Sequence, residues 1–453
     1  MGTANAIRLG AVGPAVCCTV HNYKPWHLMR QKYIKNGLGT QRWPRAGMAV
    51  AGMMRQAVKG AIMEVYAARG MSQRARVATA LVVIILREVV GSLKLVPYGV
   101  YAHNLYLSLV PFGLPSSTVV AQHMKLSGAK GSKRGSQNIL QSWLRPRTHN
   151  VSIARNVRYG DGERNLMDIY VPGGPVQGGS KPVIMFVHGG VWASGDKWQF
   201  SPLGSQLAQD GVIAVVVQYT LFPQVLAADQ VSEVSQALTW TMDNIQNYGG
   251  HPRKIYVMGH SSGSHLCAML LWERARSSAE MSQGWTVEQR DARIPHGFIG
   301  LAGVYDIAEH YKYETQRGVN ALSCMKPAMG GEKGFYSMSP TLLFMSLFKD
   351  LKTDDAAKFP VEGTDLVPTT CVIFTSDSDI VVPPDSSFAL HRVLTTAGCN
   401  SRVIKHNALR HEDFVIWYDG WGNVKPHIGT YFQDIIDYVR DEIPVGISSL
   451  LEY

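Results

Sequence analysis

Residues 259–265 read GHSSGSH, and Ser261 is the centre of a Gly-x-Ser-x-Gly pattern whose glycines are Gly259 and Gly263. A serine hydroxyl is a poor nucleophile at neutral pH, so chemistry at Ser261 requires a general base titrating near 7, which points to histidine. The surroundings make the pattern more than chance. KIYVMGHSSGSHLCAMLLWE reads as an apolar strand, a tight turn and an apolar helical run, and such a turn holds a hydroxyl exposed at a helix N-terminus. Acyl transfer at that hydroxyl needs backbone N–H donors for the developing oxyanion, and one is the amide of the next residue, Ser262. The other is expected from a loop after an earlier strand. VIMFVHGGVW places His188, Gly189 and Gly190 there, making Gly189, Gly190 and Val191 the candidates. Acid and base should follow in the order Ser, Asp, His. CVIFTSDSDIVVP offers Asp377 and Asp379, and the VVP turn favours Asp379. VIKHNALRHEDF offers His406, almost on its strand, and His411, in the loop beyond, which is the expected base. His260 and His265 compete by proximity, but the elbow should turn the His260 ring away, and neither has an acid placed to orient it.

These loops need a scaffold. Short apolar runs bounded by turn residues recur at 153–158, 166–171, 183–187, 213–218, 255–258, 298–302, 371–375 and 403–405, with helix-length segments such as 232–247 and 386–396 between the later ones. The first two runs, joined by YGDGERN, suggest an antiparallel start, and β-α-β alternation follows. The pattern predicts an α/β domain over 151–453, its mostly parallel sheet covered by helices on both faces.

The rest of the chain differs in charge. Residues 1–150 hold 20 Lys and Arg against Glu64 and Glu88, a net of +18, whereas 151–453 carry a net of −8 within the overall +10. The basic residues are interleaved with apolar runs, which favours a membrane surface over nucleic acid. Residues 1–76 read as a basic segment, disordered or targeting, and 116–150 as a Gly, Ser and Lys rich linker. Between them, 77–115 contains Leu95–Leu114, a run without formal charge and long enough for one bilayer span. Basic flanks on both sides predict a two-pass hairpin with both ends cytosolic, or else a buried or monotopic helical unit, for which Pro97 and Pro111 argue. The six cysteines show no zinc spacing and read as reduced. Asn150 opens an NVS glycosylation sequon.

NVRYGDGERNLMDIYVP, VHGGVWASGDKW, YTLFPQ, NYGGHPRKIYVMGHSSGSHLCA, GLAGVYDIAEHYKYETQRG and SDSDIVVPP together resemble successive segments of the plant-type isoprenylcysteine α-carboxyl methylesterases. The resemblance covers about residues 95–440. It implies an α/β-hydrolase fold with an eight-stranded, mostly parallel sheet and an N-terminal membrane-associated helical region. It also implies a serine esterase acting on the methyl ester of a C-terminal prenylcysteine, at the endoplasmic reticulum or Golgi membrane with the catalytic domain facing the cytosol. Ser261, Asp379 and His411 match the family's triad, and Gly189, Gly190 and Ser262 its oxyanion loop and elbow. No metal or cofactor is called for, and the expected partners are prenylated C-termini and a membrane, not nucleic acid. Two positions depart from the family pattern: Gln218 stands where relatives usually have Asp, and His260-Ser261-Ser262 where they often have Gln-Ser-Ala. The apolar residues between Cys324 and Phe348, among them Met325, Met329, Phe335, Met338, Phe344 and Met345, could line a prenyl trough, although core or cap packing explains them as readily. The rival readings are a kynurenine-formamidase-like amidase, a general carboxylesterase or lipase, and a non-catalytic ligand-binding relative.

Overall fold

The computed structural model describes a few positions between 62 and 70 and then residues 71–93, 96–113, 151–173, 180–281, 293–351, 368, 370–396, 398–416 and 429–440. All of these fall in the unit Arg45–Tyr453. Residues 1–61 and the linker with Asn150 lie outside the described residues, as do Cys17 and Cys18.

The alternating segment β2 (Val151–Arg158) has one face buried and one partly exposed, whereas the uninterrupted apolar runs form strands buried on both faces. The remaining strands are β3 (Leu166–Pro172), β4 (Lys181–Val187), β5 (Ile213–Gln218), β6 (Gly250–His260), β7 (Gly297–Leu301), β8 (Thr370–Ser376) and β9 (Ser401–His406), of which β6 is buried without a break only from Ile255 on and β9 is half-buried throughout. With the two-residue strand β1 (Val110–Pro111) they form a sheet in the order β1-β2-β3-β5-β4-β6-β7-β8-β9. Strand β3 runs antiparallel to β2 and β5, and every other neighbouring pair is parallel. The expected eight strands are all present, and β1 makes a ninth among the described residues.

Alternate side chains of the central strands point to opposite faces and split the core in two. Met185, Val215 and Val257 face helices α4 (Ala227–Asn244), α5 (Ser262–Met281), α7 (Pro340–Leu351) and α8 (Pro384–Thr396). Phe186, Val216 and Met258 face α2 (Val96–Ser108), α3 (Ser201–Gln209) and α9 (Gly429–Val439). Helix α6 (Ile307–Gln316) follows β7 on the loop side.

The segment expected as a two-pass hairpin or a buried or monotopic helical unit holds two helices among the described residues. Helix α1 (Met71–Leu93) has the length but carries Arg74, Arg76, Arg87 and Glu88, and no helix among the described residues is long and apolar enough to cross a membrane. Helix α2 has 13 residues and is roughly 20 Å long, short of the roughly 30 Å of a bilayer core. It instead packs on the sheet domain, burying Ala102, Leu105 and Tyr106. The Tyr98 hydroxyl donates to the Gln199 carbonyl (2.9 Å) and Ser201 Oγ to the Ala102 carbonyl (2.7 Å), while Arg155 donates to the Leu109 carbonyl at the helix end (3.0 Å).

Candidate active site

The parallel strands all end on the same edge, so the loops after β4, β6, β8 and β9 converge there. Strand β6 ends at His260 and α5 begins at Ser262, leaving Ser261 between them with φ of 54°. A non-glycine residue in the left-handed region is strained and persists only where its surroundings over-determine it. Here the Ser261 N–H donates to the Leu301 carbonyl (2.9 Å), and its own carbonyl accepts the His265 N–H (3.1 Å). The elbow also needs Gly263, because a Cβ there would run into the Val187 and His188 carbonyls.

The loop after β4 is equally constrained. Gly190 has φ of 128°, and a Cβ on it would strike the Ser194 carbonyl, while Val191 and Trp192 hold φ of 53° and 59°. His188 lies buried between the rings of Phe200 and Tyr219, and Tyr219 donates its hydroxyl to the His188 carbonyl (2.8 Å). Burial pushes His188 down to about 4, so its ring is neutral. Two contacts tie this loop to the elbow. The Trp192 amide donates to Ser262 Oγ (3.3 Å), and its indole N–H donates to His265 Nδ1 (3.2 Å). The Ser262 hydroxyl thus has a task of its own beside the amide expected to face the oxyanion.

His411 and Asp379 meet at this edge. His411 Nδ1 donates to Asp379 Oδ2 at 2.8 Å, and the other carboxylate oxygen accepts the amides of Val381 (2.8 Å) and Val382 (3.0 Å). Burial works to raise the Asp379 carboxyl, but the His411 ring and these hydrogen bonds outweigh it and hold the group below its ordinary value. Asp377 points to solvent and pairs with Lys405 (3.1 Å). His406 stays with its strand, stacked on Phe374 and edge-on to Tyr431.

The two histidines flanking the serine are not idle. His265 is buried, pushed down to about 4 by desolvation, and accepts from Trp192 while its Nε2–H donates to the Met338 carbonyl (2.7 Å). The His260 ring, expected to turn away, lies 4.6 Å from the His411 ring, with Nε2 2.9 Å from the His411 carbonyl. Neither contact is signalled locally, because each joins residues at least 70 positions apart. In α6, Tyr313 donates its hydroxyl to the carbonyl of Ile380, next to Asp379 (2.8 Å), and His310 is buried beside it. The segment GLAGVYDIAEHYKYETQRG therefore braces the loop after β8, a role that periodicity does not reveal.

Most of the trough candidates are core: Met325, Met329, Phe335, Met338, Phe344 and Phe348 are buried, and Met345 is exposed. Gln218 fits its position by donating to Asp196 (3.2 Å), which also faces Arg164. Cys267, Cys324, Cys371 and Cys399 are buried and unbridged. Among the described residues, no three His, Cys, Asp or Glu side chains gather as a metal site would need.

The sequence and the fold both have relatives. The chain is 32% identical over 265 residues to a probable isoprenylcysteine alpha-carbonyl methylesterase of Arabidopsis thaliana, covering 58% of each protein. A second Arabidopsis thaliana protein, the isoprenylcysteine alpha-carbonyl methylesterase ICME, is 31% identical over 299 residues, covering 65% of this chain and 64% of its own. The chain thus spans less than two thirds of the length of either. Esterase B of Lactobacillus rhamnosis superposes with a TM-score of 0.50 at 14% identity, covering 72% of this chain and 93% of that one, a likeness of fold. The BD-FAE family model matches residues 167–394, half of the chain, from the central strand β3 through the elbow and the acid loop to helix α8, and on that match the chain belongs to the BD-FAE family.

Proposed function

We propose that the chain is a serine carboxylesterase in which Ser261 is the nucleophile, His411 its base and Asp379 the acid that orients the base. The observation that carries this reading is the 2.8 Å hydrogen bond from His411 Nδ1 to Asp379, because it leaves the Nε2 lone pair as the proton acceptor. His411 takes the hydroxyl proton as Ser261 Oγ attacks the ester carbonyl. The amides of Ser262 and of Gly190, with Gly189 shaping the loop, take the oxyanion charge. His411 then protonates the leaving alkoxide, and water, activated by the same base, releases the acid. No step requires a metal or cofactor.

For substrate we propose the methyl ester of a C-terminal prenylcysteine. Relatives named as isoprenylcysteine methylesterases support this choice, as does the exposure of Val191, Ile380 and Val381 on the two loops that flank the serine, an apolar rim suited to a hydrocarbon chain. Prenylated C-termini reside on membranes, and Val82, Val83 and Leu86 on α1 present apolar surface to solvent. We therefore place the enzyme on the cytosolic surface of the endoplasmic reticulum or Golgi. A glycosidase-sensitive gel shift at Asn150 would reverse that orientation.

The test is the turnover of a farnesylcysteine methyl ester, N-formylkynurenine and a short aryl ester by the purified chain and by Ser261→Ala. The expected result is selective turnover of the first and none by the variant. Preference for N-formylkynurenine supports the amidase reading, preference for the aryl ester a general esterase, and full activity of Ser261→Ala a site elsewhere.

A further inference from the structure

The His260–His411 contact holds the base loop from outside the triad. A carbonyl oxygen only accepts, so at 2.9 Å from the His411 carbonyl His260 Nε2 must carry the proton and donate it. The donor is well fixed: His260 is the last residue of β6, pairs in register with Leu301 of β7 and is buried. The acceptor belongs to the loop after β9, in which Asn407, Ala408 and Arg410 are exposed while Leu409 and Phe414 on either side of His411 are buried. The bond to Asp379 sets the rotation and tautomer of the His411 ring but does not fix the main chain that carries it.

We infer that His260 is a positioning residue for the base, its Nε2–H clamping the main chain of His411 so that the nucleophile's own elbow sets the distance between Ser261 and the imidazole. The inference rests on the assignment of Ser261 and His411 above. Desolvation, followed by the neighbouring His411, lowers His260 to about 3, so the clamp stays neutral and places no second cation beside the imidazolium that forms during turnover. Among the described residues, Asp379 is the one carboxylate of the charged groups that act on this ring.

The test compares His260→Leu, which removes the donor at similar bulk, with His260→Gln, whose amide can present an N–H to the same carbonyl. Both are assayed as the full chain with a short aryl ester, and a phosphonate titration counts reactive serines so that kcat refers to folded sites. The expected result is a loss of about 30-fold or more in kcat for the Leu variant with little change in KM, and recovery to within about fivefold of the parent in the Gln variant, since a base displaced by about 1 Å can lose on the order of 100-fold. Parental kcat in the Leu variant overturns the inference, and so does equal impairment of both variants. Should the Leu variant not fold, His260→Met takes its place in the same comparison. Activity retained by Asp379→Asn would overturn the triad itself, a separate outcome from failure of the clamp.

Discussion

Among the charged residues of the acid loop, two aspartates two positions apart have opposite fates. Asp379 is buried with both oxygens engaged, while Asp377 shares a half-exposed ion pair with Lys405 of the kind that contributes little. Asp379→Asn should therefore lower kcat by about 1,000- to 10,000-fold with the backbone unchanged, because an amide facing His411 Nδ1 favours the wrong tautomer. Asp377→Asn should stay within about twofold, since a solvent-facing charge has no part in the tautomer. Steady-state kinetics of the two variants check both statements, and a comparable loss in each would mean that the loop, not the carboxylate, matters. The preference for Asp379 was legible from the VVP turn. The preference for His411 over the nearer His260 and His265 followed from the order of elements, although the work those two rings do was not legible at all.

Helix α2 shows what periodicity leaves open. An apolar run of bilayer length and a helix buried against its own protein have the same composition, and hydropathy does not tell lipid from protein as the covering phase. What separates them is partners: the hydroxyl of Tyr98 and the carbonyl of Ala102 are each bonded to the segment after the glycine loop that follows β4. Leu105 is 3% exposed against that domain and Leu107 is 61% exposed. Leu105→Ala should then destabilise by about 2–5 kcal/mol, seen as a lower midpoint in detergent-free denaturant unfolding. Leu107→Ala should change stability by less than about 0.5 kcal/mol. Equal effects would argue that α2 does not dock as described. The strands fared better, because an alternating edge and uninterrupted central runs are consequences of which faces are covered.

At the scale of the whole molecule, burial lowers six imidazoles among the described residues, four of them far. His188, His265 and His310 lie near 4 and His260 near 3, against an ordinary value of 6.5. A depressed folded value means that the unfolded chain binds more protons, so this stability is complete above about pH 6.5 and declines as the pH falls toward 4. Asp379 acts in the same sense at lower pH. Glu314, pushed up to about 7 by burial, acts in the opposite sense, stabilising below its ordinary 4.5 and losing that contribution as the pH rises through 7. Glu273 and Asp434, also raised by burial, act with Glu314, while His391 and His406, also lowered, act with the four imidazoles. Six groups outweigh three, at about 1.4 kcal/mol per pH unit for each net proton. The urea midpoint should therefore fall steadily from pH 7 to pH 4.5. A midpoint that holds or rises over that interval would show that these rings are solvated.

Sequence alone determined the chain order of the strands, the strained elbow at Ser261 and the glycine loop after β4. Each is encoded within about ten consecutive residues, where tight turns admit few side chains and burial dictates apolar pattern. The tertiary structure decided which carboxylate meets which imidazole and what the flanking histidines hold. It also decided that α2 lies against the sheet domain. The physical reason is separation: Asp379 and His411 are 32 residues apart and His260 and His411 151, and a hydrogen bond over such distances forms only once the parallel strands have brought their ends to one edge.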